Sequence, residues 1–110
     1  MNCKPSLILL GAVAVFAAPP IALVRVPHSG IQPQAVVDSR GILHLLYFTG
    51  DPKAGDLFYV KSSDYGVTWS LPLRVNSKPR SAIAIGTIRG GQISAGKNGR
   101  MHVAWNGSAK

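Results

Sequence analysis

Residues 62–69 read Ser62-Ser63-Asp64-Tyr65-Gly66-Val67-Thr68-Trp69. A hydroxyl and a carboxylate stand two residues apart, followed by glycine, a second hydroxyl and tryptophan. Ser62 and Asp64 can accept hydrogen bonds from the backbone N–H groups that a tight turn leaves unpaired. Gly66 supplies the left-handed conformation that closes such a turn. Thr68 can fasten the exit with its hydroxyl, and Trp69 can bury an indole against whatever the loop joins. The flanks are short and β-prone: Leu57-Phe58-Tyr59-Val60 on one side, Leu71 to Val75 on the other, with Pro72 marking an edge strand. Residues 62–69 therefore read as a self-bonded turn between two strands.

Upstream, Ala35-Val36-Val37-Asp38 reads as a strand and Ser39-Arg40-Gly41 as a turn. Ile42 to Phe48 is an apolar run of buried-strand length, and Thr49 to Gly55, with Gly50-Asp51-Pro52 inside it, reads as a loop. Four strands with short connections make an antiparallel meander. Ser39 to Tyr47 then lines up with Lys97 to Trp105: Gly41 matches Gly99, His44 matches His102, and an aromatic follows each His by three, all at an offset of 58 residues. A fainter echo joins Arg25-Val26 to Arg74-Val75. One meander per repeat is the pattern of a β-propeller blade. His44 and His102 occupy one position in two repeats, which favours a hydrogen-bonded structural role. No carboxylate or third histidine stands at ligand spacing, so no metal site is expected.

Residues 62–69 fit S-x-D-x-G-x-T-W, which resembles the Asp box of BNR repeats in sialidases and related propellers. The surrounding chain, with Asp38-x-x-Gly41-x-x-His44 and Arg89-Gly90-Gly91, is similar to secreted sialidase-family propellers. The resemblance implies an all-β fold of about one and a half four-stranded antiparallel blades. The first blade spans about 34–76 and an incomplete second spans about 90–110. Ser62, Asp64, Gly66, Thr68 and Trp69 would form the structural box. A four-bladed propeller needs roughly 160–180 residues, so the expectation is a partial propeller.

In a meander the turns alternate between two ends. The box and the Ser39–Gly41 turn would share one end. The 49–55 loop and the 76–91 connection would share the other, with Asp51, Lys53, Asp56, Lys78, Arg80 and Arg89. The resemblance implies a clamp of three arginines on a sugar carboxylate, an Asp as acid, and a Tyr nucleophile assisted by a Glu. Bidentate guanidinium geometry suits Arg80 and Arg89 to the clamp. Arg25, in Arg25-Val26-Pro27, is the third candidate by its likeness to an arginine-isoleucine-proline motif. Asp51 is the candidate acid. All four acidic residues are Asp, so these 110 residues supply no Tyr–Glu pair, and activity of this chain alone is not expected. The competing readings are a non-catalytic Asp-box propeller that binds glycans or partners, and a gene fragment without function.

Composition narrows the class. A hydrophobic content of 46% is too high for a disordered basic tail, despite a net charge of +8. The bases are dispersed, so nucleic acid is not an expected partner. One cysteine, Cys3, excludes an internal disulfide framework and a cysteine zinc site. Lys4 precedes the apolar run Leu7 to Ala18, and small residues at Val15 and Ala17 stand before Pro19-Pro20, which reads as a signal peptide over 1–17. Leu7 to Val24 as an anchor is the rival, but the prolines would break that helix. The expectation is a secreted or periplasmic domain over 18–110 without stable membrane insertion. Asn106-Gly107-Ser108 has the form of a glycosylation sequon. No cofactor is implied. The partners expected are an acidic glycan or sialoside, and other copies through an open blade edge.

Overall fold

The computed structural model describes Gly11 and residues 20–107. The rest of the 1–17 segment and Ser108 of the sequon lie outside the described residues. Among those described there is no α-helix, only short 3-10 turns at Pro27–Ser29 and Lys97–Gly99. Six strands follow in order: β1 Ile31–Val37, β2 Leu43–Asp51, β3 Ala54–Ser62, β4 Leu73–Arg74, β5 Gly91–Ala95 and β6 Met101–Trp105. β1-β2-β3-β4 form an antiparallel sheet in sequence order, and β5-β6 form an antiparallel hairpin.

The strand count is as expected; the boundaries are corrected. β1 begins at Ile31, four residues before the expected strand, and carries an irregularity between Ile31 and Gln34. The loop expected over 49–55 shrinks to a two-residue turn, because Asp51 pairs with Ala54 and Gly50 with Gly55. Gly55 sits in a strand for a packing reason: a Cβ there would strike the Phe48 ring and the Thr49 carbonyl. β4 is cut to two residues paired with Tyr59 and Phe58.

β5 and β6 repeat β1 and β2. The Asp38 N–H to Ile42 carbonyl bond (3.0 Å) has its counterpart in Gly96 to Arg100 (2.7 Å), 58 residues on. Gly41 and Gly99 both take positive φ, +81° and +73°.

Alternation along β2 and β3 sends apolar side chains to both faces. Leu46, Phe48 and Leu57 form one face with Ala82 and Ala84, and Ile93 and Val103 of the second hairpin pack on it. Gly91 permits that approach: a Cβ there would come within 2.5 Å of the Leu46 side chain. Leu45, Tyr47 and Val60 form the other face with Phe58 of β3, and Val26 and Trp69 pack on it. A strand buried on both faces reads as a continuous apolar run, which is why Leu45 to Phe48 does not alternate.

Candidate functional site

The two ends of the sheet differ in build. At the end opposite residues 62–69, the connection after β4 folds back on the β2–β3 hairpin. Ala82 bridges Gly55 on one side and Gly107 on the other. The Ala84 N–H donates to the Pro52 carbonyl at 2.8 Å. Asn76, 1% exposed, organises this end. Its side-chain oxygen accepts from the Leu57 N–H at 2.9 Å, and its amide donates to Asp56 and to the Lys78 carbonyl, each at 2.8 Å. Asp56 also accepts the Arg80 N–H at 2.8 Å. Asp56 is thus a structural acceptor rather than a free charge of the site.

Asp51, Lys53, Arg80 and Arg89 all belong to this end. Asp51 and Lys53 flank the hairpin tip, where Asp51 accepts the Lys53 N–H at 2.9 Å. Arg80 takes φ +57°, and its backbone N–H donates to the Asp56 carboxylate. Arg89 lies just before Gly90, whose N–H donates to the Gln32 side chain at 2.5 Å. The side chains of Asp51, Arg80 and Arg89 are exposed, and no hydrogen bond or ion pair joins them. Arg25 stands apart. Val24 lies near Gly66 and Val26 packs on the face formed by Leu45, Tyr47 and Val60, so Arg25 runs along that face and not at the end with Asp51.

The other end holds the turn formed by residues 62–69, which connects β3 to β4. Ser62 Oγ accepts the Gly66 N–H at 2.8 Å and donates to Asp64 at 2.7 Å. Asp64 accepts the Thr68 N–H at 2.9 Å and the Thr68 hydroxyl at 2.5 Å. These bonds, with the Thr68 hydroxyl first, hold the Asp64 carboxyl down at about 2. Gly66 takes φ +85° over the Trp69 ring, where a Cβ would come within 3.3 Å of Cζ2.

Beside it stands a relay that the sequence reading did not assemble. His44, 4% exposed, sits between Asp38 at 2.8 Å from Nε2 and Tyr59 at 2.7 Å from Nδ1. Asp38 also accepts the N–H groups of Arg40 and Ile42 at 2.9 and 3.0 Å. The His44 bond, then the backbone bonds, hold the Asp38 carboxyl far below the usual carboxylate range. With Asp38 ionised, Nε2–H donates to it, and the second bond joins Nδ1 to the Tyr59 hydroxyl. The spacing Asp38-x-x-Gly41-x-x-His44 was the available signal; Tyr59 joins only through strand pairing. A second pair, His28 Nδ1 to the Tyr47 hydroxyl at 2.8 Å, ties the chain before β1 to β2.

His102, equivalent to His44, is exposed, and Gly96 replaces Asp38 in its repeat. Among the described residues no group of His, Cys, Asp or Glu could hold a metal ion, and no helix is long and apolar enough to cross a membrane. No protein-family model, curated protein or solved structure matches this chain.

Proposed function

We propose that this chain contributes one full blade and the opening hairpin of a second to an exported, sialidase-like Asp-box propeller that binds acidic glycans. The observation that carries the reading is the 62–69 loop: its serine, aspartate, glycine and threonine make the complete bond set between the third and fourth strands of a meander. The repeat of β1-β2 as β5-β6 at a 58-residue offset supports the same reading.

The glycan is assigned to the end away from the box. Arg80 and Arg89 present guanidinium groups suited to a carboxylate, and Asn76 and Asp56 fix the backbone that carries Arg80. Asp51 is the acid available there. Binding is favoured over hydrolysis because these residues include no Glu to activate a tyrosine. The test is titration of the chain with a sialoside by calorimetry, with a chromogenic sialoside assayed alongside. Saturable binding lost in Arg80→Ala/Arg89→Ala, without turnover, is the expected result. Equal affinity for a sialoside and a neutral sugar would sink the assignment.

A further inference from the structure

The Asp38–His44–Tyr59 relay is not needed to close its turn. The β5-β6 hairpin makes the equivalent turn bond with Gly96 in the place of Asp38 and with His102 exposed. A carboxylate–imidazole–phenol chain with its imidazole buried is therefore an addition to the strand–turn–strand unit. It stands behind a cavity of about 500 Å³ lined by Arg40, His44, Tyr59, Lys61, Ser63 and Ser70 among others. That volume is within the range of small-molecule sites, and the lining is polar at several converging points.

We propose that this cavity is a second ligand site, for a hydroxylated organic anion of monosaccharide size, with its carboxylate on Arg40 and Lys61 and its hydroxyls on Tyr59 and Ser63. Arg40 gives one guanidinium nitrogen to Asp38 at 3.3 Å, and its side chain, 70% exposed, keeps the other donors for a ligand. Ser62 and Thr68 are committed to the loop, with their hydroxyls on Asp64. Ser70 Oγ accepts the Lys61 N–H at 2.9 Å, which fixes the strand edge bearing that lysine. Trp69 closes one wall and offers an apolar surface beside these polar groups. Burial, and then the charge of Asp38, push the Tyr59 hydroxyl up, so it stays a neutral phenol. That suits a hydrogen-bonding group in the cavity wall.

The site is at the opposite end from Arg80 and Arg89, so the two assignments fail separately. The experiment titrates the 110-residue chain with D-glucuronate, glucose and acetate, followed by amide NMR shifts. Glucuronate is expected to bind more tightly than either control, with shifts clustered at residues 38–44 and 59–63. Arg40→Gln/Lys61→Gln changes exposed residues only and should weaken glucuronate about tenfold or more, as loss of charge-assisted bonds does. Tyr59→Phe should weaken it less, while leaving acetate unaffected. Weakening by Arg80→Ala/Arg89→Ala alone, equal affinity for acetate and glucuronate, or no saturable shifts around residues 38–44 would each overturn the proposal.

Discussion

Asp64 accepts from the Thr68 amide and from two hydroxyls, and each bond is made better by a carboxylate than by a carboxylic acid. Its folded pKa of about 2 lies below the unfolded value near 4. A depressed carboxyl contributes stability above the unfolded pKa, and that contribution is lost as pH falls through the folded one. The melting temperature should therefore hold from neutral pH down to about 5, then fall steeply between about pH 4 and 2. Asp38, lowered further by His44, extends the fall to lower pH. Thermal melts of Asp64→Asn should start lower at pH 7 and show a shallower slope in that window; an unchanged slope would remove Asp64 from the account. Two glycines separate backbone strain from crowding. Gly41 has φ +81° with open space around it, whereas Gly66 has φ +85° against Trp69. Gly41→Ala should cost about 1–2 kcal/mol for left-handed backbone alone, and Gly66→Ala more. Urea midpoints of the two variants make the comparison, and an equal loss would argue against contact between Gly66 and the indole. These roles were legible in the sequence because the turn satisfies itself within eight residues. The His44–Tyr59 bond was not, since only the pairing of β2 with β3 brings those residues together.

At the scale of elements, strand number and order were legible, and strand ends were not. Gly50-Asp51-Pro52 reads locally as a loop, yet pairing persists to Asp51 and resumes at Ala54. Gly50 and Gly55 face each other as the small pair that lets the hairpin cross closely beside Phe48. Punctuating residues mark turns only when packing does not recruit them, and here the Phe48 ring recruits Gly55. Asn76 shows the same blindness. Nothing local distinguishes it, but it satisfies the Leu57 amide and orients Asp56 across nineteen and twenty residues of chain. Asn76→Ala would leave the buried Leu57 N–H unpaired. It should cost about 1–3 kcal/mol, the range for an orphaned buried polar group. Equilibrium unfolding in urea measures this. A change under about 0.5 kcal/mol, the range of ordinary surface substitutions, would mean that Leu57 finds another acceptor. Because Asp56 also holds the Arg80 amide, the same variant should weaken any carboxylate binding at that end without removing an arginine.

Across the whole molecule the first sheet is covered unequally. One face lies under Ile93 and Val103 of a second sheet, with Ala82 and Ala84 filling the join. The other, to which Phe58 of β3 belongs, is covered by Val26 and Trp69. The second hairpin has one face packed, while Gln92, Ser94, His102 and Ala104 are exposed. Such asymmetry should divide the molecule into a slow and a fast unit in hydrogen exchange, because local opening follows the apolar contact each element makes. Amides of β2 and β3 should exchange slowest, and those of β5 and β6 measurably faster. Two substitutions then test which contacts hold which unit. Trp69→Ala removes an indole that is only partly buried. It should cost toward or below the lower end of the 3–5 kcal/mol lost with fully buried aromatics, with protection falling across β2 and β3. Gly91→Leu drives a side chain into Leu46 and Leu57 at the join. It should release β5 and β6 first and leave the 62–69 turn protected, since that turn's bonds are internal to the first sheet and its loop. If Gly91→Leu instead lowered protection uniformly, the hairpin would be part of one cooperative core rather than a unit docked upon it.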